Sequence, residues 1–285
     1  MRYGVPYKGS KNGLAQKIVD VLPPAENFYD VFAGGCAITH CAMMQDGGLL
    51  GNKWHHFHAN DISPYGVQLF YGAIRGKYKN EKRWISREDF YLLKETDPYA
   101  RLCWSFGNNG VDYLYSKDIE PYKKALFEML LSENLSDRRM KYRAVIRELF
   151  AYLNGIKEEN NKSRTISLES LQSLERLQSL QRLQSLESLQ RLQIISLDYR
   201  DVKIKPNSVI YCDPPYKNTQ SSYSYDFDYD AFYSWCEEQT EPIYISEYSM
   251  PEERFKVVAE WRKPILSTST GTGGYASEKL YTVRK

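Results

Sequence analysis

The sequence contains no apolar run long enough to span a bilayer, and its N-terminus has no apolar signal region. A cytoplasmic protein is expected. Cysteine is sparse: Cys36, Cys41, Cys103, Cys212 and Cys236 form an odd set without a C-x-x-C pair. That excludes a disulfide framework and a cysteine zinc site, and fits a reducing compartment. His55, His56 and His58 cluster, but no cysteine or carboxylate stands at ligand spacing. Alternate residues of a strand also point to opposite faces, so no metal is expected. Neither sign of charge dominates, since 38 Lys and Arg stand against 36 Asp and Glu. Any contact with nucleic acid must then come from a local basic face rather than a global field.

Tyrosine is abundant, with 24 residues, which suits base stacking and phosphate contacts as well as ordinary cores. Lys11–Leu22 predicts an amphipathic helix ended by Pro23-Pro24. Asn27–Phe32 predicts a strand running into Ala33-Gly34-Gly35, followed by a helix over Ala37–Met44. Lys53–Ala59 predicts a second strand ending at Asn60-Asp61, and Pro64–Arg75 a helix. This alternation is the mark of an α/β protein with a parallel, doubly wound sheet. From 77 to 165 the pattern turns helical and rich in Lys, Arg and Tyr, with Arg87–Glu95, Pro121–Leu131 and Asp137–Asn154 as helices. Strands resume at Ile194–Leu197, Val209–Cys212 and Ile243–Ser246, and Phe255–Trp261 and Lys279–Val283 pair as a hairpin around Gly271–Gly274.

Between these parts, residues 166–193 carry leucine at every third position from Leu168 to Leu192. A helix advances about 100° per residue, so this stripe drifts by about 60° per step and circles the axis. Leu, Gln, Glu and Arg all favour helix. The near-identical triplets read first as a helical, length-variable spacer. A leucine-rich solenoid and a self-association surface are the alternatives.

Asp213-Pro214-Pro215-Tyr216 ends the apolar strand Ser208–Cys212. Proline fixes φ and lacks an N–H, so the turn is rigid. It offers a carboxylate, carbonyl oxygens and a flat ring at one place, a set that suits a planar substrate bearing an amino group. On residues alone it also reads as a strand-terminal turn. Upstream, Asp30-Val31-Phe32-Ala33-Gly34-Gly35 joins a strand to a helix, and its glycines let the backbone approach a ligand closely. Asp61, ending the next strand, is placed either to grip a ribose or to cap the helix that follows. Tyr7-Lys8-Gly9-Ser10-Lys11 opens the chain before its first helix.

In this order, the segments resemble the alpha group of adenine-specific DNA methyltransferases, the Dam type. Asp213–Tyr216 is similar to that family's DPPY motif, Asp30–Gly35 to its D-x-F-x-G-G cofactor loop, and Tyr7–Lys11 to its aromatic-x-G-x-K opening. Cys36 stands where many relatives have Gly or Ser, and Glu247 where relatives often have Asn.

The resemblance implies a Rossmann-like catalytic domain over 1–76 and 194–285 and an inserted, mainly helical target-recognition domain over 77–165. It implies S-adenosylmethionine as cofactor, held by Tyr7, Lys11, Asp30, Phe32, Ala33, Gly34, Gly35, Asp61 and Asp213. Double-stranded DNA is the implied partner, contacted by Lys8, Asn108, Asn109, Tyr113, Tyr115 and Lys117, although on residues alone Asn108-Asn109-Gly110 also reads as a turn. Arg138, Arg139, Lys141 and Arg143 read equally as a phosphate-binding face or as a solvated helix face. Asp213, Pro214, Pro215 and Tyr216 are the implied catalytic residues: Tyr216 stacks on a flipped adenine while Asp213 and the Pro214 carbonyl accept its amine hydrogens. No metal is required. The compact arrangement and the repeat point to a phage or prophage enzyme. Methylation of RNA or of a protein amide, and catalytically silent DNA binding, are the other readings.

Overall fold

The structure is a computed structural model and describes residues 3–45, 51–158, 171–183, 190–216, 227–265 and 274–284. The chain divides into two compact units. One takes Met1–Val5, Gly9–Ile74 and Ser185–Lys285; the other takes Pro6–Lys8 and Arg75–Gln184.

The first unit is built on a seven-stranded sheet. Its strands are β1 (Ala25–Asp30), β2 (Trp54–Asn60), β3 (Leu192–Ile195), β4 (Ser208–Cys212), β5 (Ile243–Glu247), β6 (Phe255–Ile265) and β7 (Gly274–Val283). The order is β3-β2-β1-β4-β5-β7-β6. The first five strands run parallel, and β7 lies antiparallel to both β5 and β6. The expected pairing of the two late segments is present, while residues 266–273 lie outside the described residues. β4 is buried along its whole length because it runs between β1 and β5, which is why Ser208–Cys212 reads as a continuous apolar run rather than an alternating one.

The chain leaves β1 for β2 on one side and has β4 on the other, so the carboxyl end of β1 is a switch point of the topology. The parallel register sets Asp30 beside Ala59 and Tyr211, and so gathers Asp30, Asp61 and Asp213 at one edge. Helices α1 (Ala15–Val21) and α2 (Ala37–Met44) pack on each other, and α3 (Pro64–Ile74) packs near β3. The first helix starts later than the expected Lys11, because Lys11–Leu14 closes a turn through a 2.9 Å hydrogen bond from Leu14 N to Lys11 O. That turn leaves Lys11 outside the helix.

The second unit holds α4 (Arg87–Leu93), α5 (Pro98–Cys103), α6 (Glu120–Leu130), α7 (Leu135–Glu158) and α8 (Gln172–Arg182). Sequence reasoning missed α5 and, in the first unit, α9 (Tyr229–Glu238). Both carried a start signal. Asp97, before Pro98, accepts from Tyr99 N at 2.9 Å, and Asp228 accepts from Ala231 N at 2.9 Å. No described helix is long and apolar enough to cross a membrane.

Over Gln172–Arg182 the leucine repeat forms a helix, as expected, and it is packed within its unit rather than standing free; residues 159–170 and 184–189 lie outside the described residues. Leu177 and Leu180 are buried, Leu174 only partly. Ser173 shares a 2.9 Å hydrogen bond with Tyr115 Oη, and Arg176 donates to the Cys103 and Ser105 carbonyls at 2.9 Å each. A period of three does not wreck so short a helix. Leu177 and Leu180 lie about 60° apart on the face Ser173 shares, and Leu174 has only drifted to its edge. Leu180→Ala is expected to destabilise the second unit by about 2–5 kcal/mol and Leu174→Ala by clearly less, read from urea unfolding of the two variants. Equal small losses would return the repeat to a spacer.

Candidate active site at the carboxyl edge of the sheet

The loop after β1 is held by its own backbone. Gly34 has φ 49° and Cys36 φ 58°, a left-handed kink that turns the chain from strand to helix. Ala33 N donates to Asn60 O at 2.7 Å, and Gly34 N donates to Asp61 Oδ2 at 2.8 Å. Asp61 Oδ1 accepts from Ser63 N at 2.9 Å. Both alternatives for Asp61 thus meet a structural duty, since it ties the glycine loop to the start of α3. Burial pushes its carboxyl up to about 6, against the two N–H donors, with Asp213 adding repulsion.

Asp30 Oδ2 accepts from Thr39 N at 3.2 Å and from Thr39 Oγ1 at 2.7 Å, inside the first turn of α2. Its Oδ1 is buried without a hydrogen-bond partner among the described residues, as is Ser10 Oγ. Burial raises the Asp30 carboxyl to about 7; the Thr39 bonds oppose this, and Asp213 and Asp61 reinforce it. Phe32 packs on Tyr199, Phe227 and Phe232 at ring separations of 5.6, 5.9 and 5.6 Å, which fixes the strand end from below.

A clamp that sequence reasoning missed presses the N-terminus onto this loop. Val5 N donates to Gly35 O at 2.8 Å, and Gly4 N donates to His40 Nδ1 at 2.9 Å. The acceptor role requires a neutral ring protonated on Nε2, and burial holds the His40 pKa down at about 4. A lone histidine inside an apolar helix carries no signal for this.

The segment after β4 brings the motif residues together. Asp213 is 17% exposed, and its Oδ1 lies 2.8 Å from the Lys11 ammonium. The same ammonium lies 3.3 Å from Glu278 Oε1 and 4.4 Å from the centre of the Tyr216 ring. Tyr216 Oη donates to Glu278 Oε1 at 2.9 Å. Tyr248 meets the Tyr216 ring edge-on at 4.8 Å. Tyr229 Oη donates to the Pro215 carbonyl at 2.8 Å, which pins the turn, and Tyr211 shares a 2.8 Å bond with Ser246 beneath it. Burial opposes the charge on Lys11, but Asp213 and Glu278 outweigh it and hold its pKa above the ordinary lysine value. Burial raises Asp213, Lys11 pulls it down, Glu278 adds repulsion, and the net shift is upward. Lys11 is thus paired with carboxylates of the protein itself. Glu247 is buried, and its Oε1 accepts from Tyr248 N at 2.7 Å.

In the second unit several expected base-reading side chains have internal partners. Asn108 Nδ2 donates to Leu102 O at 2.8 Å. Asn109 Oδ1 accepts from Val111 N at 2.8 Å and from Asp112 N at 3.1 Å, while its Nδ2 donates to Asp112 Oδ2 at 2.9 Å. Tyr113 and Tyr115 are buried, with their hydroxyls on Ile85 O and Ser173 Oγ. These residues shape the loop, and what it turns outward is Phe106, 66% exposed, and Val111. Lys117, Arg138, Arg139 and Arg143 are exposed, as is Lys8; Tyr7 is half-buried and, like Lys8, belongs to the second unit. The histidines do not converge: His58 is buried and stacked on Tyr29 at 4.2 Å, while His56 faces Glu26 at 3.5 Å. Among the described residues no cluster of His, Cys, Asp and Glu is able to hold a metal ion.

Comparison with curated proteins returned no match. The profile of the D12 class N6 adenine-specific DNA methyltransferases matches residues 7–240, which takes in the glycine loop, Asp61, the second unit and Asp213–Tyr216. That span is most of the chain, and with the mixed α/β fold it establishes that this protein belongs to the D12 class N6 adenine-specific DNA methyltransferase family and is a DNA adenine methyltransferase.

Proposed function

We propose that the protein moves a methyl group from S-adenosylmethionine to the exocyclic amine of an adenine rotated out of double-stranded DNA. The observation that carries this is the Lys11 ammonium against Asp213 and the Tyr216 ring. A nitrogen bearing hydrogens sits on a carboxylate and over an aromatic face, which is the arrangement an adenine amine and its ring require.

The residues present suit the cofactor. Asp30, Asp61 and Asp213 are drawn together and mutually repelled, and Asp30 Oδ1 and Ser10 Oγ are without partners among the described residues. A ligand carrying positive charge and hydroxyl and ammonium donors relieves both conditions. Asp30, Phe32, Ala33, Gly34, Gly35 and Asp61 would hold it, with Lys11 and Asp213 beside it. When bound, S-adenosylmethionine supplies an electrophilic methyl group on a sulfonium.

The chain's own residues do the rest. Tyr216 stacks on the extruded base, and Asp213 and the Pro214 carbonyl accept the amine hydrogens. Those bonds draw the nitrogen toward tetrahedral geometry and aim its lone pair. Orientation and fixed charges supply the acceleration. The nitrogen becomes acidic once alkylated, so its surplus proton leaves without a strong base. Lys8, Lys117 and the exposed arginines of α7 meet phosphates, and base readout falls to the loop carrying Phe106 and Val111.

Incubation with S-adenosylmethionine and unmethylated genomic DNA, followed by single-molecule sequencing, is expected to show N6-methyladenine confined to one short motif. Cofactor binding without DNA methylation would move the target to RNA or a protein amide. Absence of cofactor binding would overturn the reading.

A further inference from the structure

Glu278 has no role in the mechanism above, yet it is 1% exposed and faces the site. It lies on β7, paired with Trp261 of β6 in the antiparallel half of the sheet. A carboxylate delivered from inside a sheet is held rigidly. Its Oε1 has two partners from distant parts of the chain: the Tyr216 hydroxyl at 2.9 Å and the Lys11 ammonium at 3.3 Å. We propose that Glu278 is a positioning residue for methyl transfer, which fixes the plane of the Tyr216 ring and keeps Lys11 paired when the target amine takes Asp213.

Two physical arguments support this assignment, which rests on the reading of Asp213 and Tyr216 given above. An amine arriving at Asp213 must displace the Lys11 ammonium, now 2.8 Å from Oδ1. Leaving a buried ammonium without a partner is strongly unfavourable. Glu278 turns that loss into an exchange, because Lys11 passes to a carboxylate it already touches. The second argument concerns the ring. Burial and the neighbouring carboxylates Asp213 and Glu278 keep the Tyr216 phenol protonated, so it donates, and Glu278 is the acceptor that orients it. Tyr248 closes the edge of the ring at 4.8 Å, so the hydroxyl bond and this contact fix the stacking plane.

The test is a double-mutant cycle on the full chain with Glu278→Gln, Tyr216→Phe and the double variant, with Asp213→Ala as the inactive reference. The readouts are the single-turnover methylation rate on duplex DNA, cofactor Kd by calorimetry, and Tm. Each single variant is expected to lower the rate about tenfold, with the double no slower than the worse single, because both remove one coupled contact. Cofactor Kd stays within about threefold. Multiplying losses, or a Glu278→Gln enzyme of unchanged rate, overturn the proposal. If Glu278→Gln does not fold, a Tyr216→Phe enzyme at wild-type rate overturns it alone, since that change removes only the hydroxyl. A wild type that methylates no adenine sinks the underlying reading as well. A wild type that does so, with Asp213→Ala dead and both other variants at full rate, sinks this inference only.

Discussion

Asp213→Ala is expected to cut the single-turnover rate of adenine methylation by at least about a hundredfold to a thousandfold while DNA binding changes by less than about tenfold. The carboxylate acts on the amine only where the lone pair must be aimed, so its loss falls on the rate rather than on duplex affinity. The fold should survive, because Lys11 keeps Glu278 as a partner at 3.3 Å when Asp213 is gone. A gel-shift titration beside a rate measurement reads both numbers. Normal methylation by the variant would remove Asp213 from the mechanism. The pH profile gives an independent check with a defined sign. Asp213 must be ionised to accept the amine hydrogens, and burial raises its carboxyl above the ordinary range despite Lys11. The wild-type rate should therefore fall as pH drops, with an acid limb at higher pH than an exposed aspartate gives. The neighbours Asp30 and Asp61, pushed up to about 7 and about 6, also take up protons as pH falls and weaken retention of a cationic cofactor. Both effects lower activity toward acid.

The legible parts of the site are those whose chemistry is local in the chain. Asp213–Tyr216 and Asp30–Gly35 each end a buried strand, so an apolar run followed by a punctuating Pro or Gly locates them. The alternation of strand and helix pointed to a parallel, doubly wound sheet but not to its strand order. Partners separated along the chain were not legible. Tyr216 and Glu278 are 62 residues apart, and Gly4 and His40 are 36 apart. Only the folded chain brings such pairs together. The internal partners of the asparagines were hidden for a different reason. Asn109 bonds backbone two and three residues on, the local habit that also makes asparagine a turn residue, and composition cannot separate that from a side chain waiting for a base. The burial of Tyr113 and Tyr115 was not legible because tyrosine serves cores as readily as surfaces.

Gly4→Ala should be far more damaging than its place early in the sequence suggests. Gly4 has φ 68°, a left-handed conformation that costs a residue with a side chain about 1–3 kcal/mol. A β-carbon there would overlap the Gly35 carbonyl oxygen and lie 2.8 Å from Ala37 N and 2.9 Å from Ala37 Cα. These are backbone atoms of the cofactor loop and of the first turn of α2, so no side chain can swing aside. Relief requires the segment around Gly4 to lift, which breaks the Val5 N to Gly35 O bond and frees His40 Nδ1 of its donor. Strain and the lost contacts together are expected to destabilise this corner by about 3 kcal/mol or more, and to weaken cofactor binding at least about tenfold where the fold survives. Gly9→Ala is the matched control. It has φ 81° but open space around the would-be β-carbon, so it carries the backbone strain without the overlap. Calorimetric Kd and Tm on the two variants separate these contributions. If Gly4→Ala and Gly9→Ala lose the same amount, the N-terminal clamp does not shape the cofactor loop.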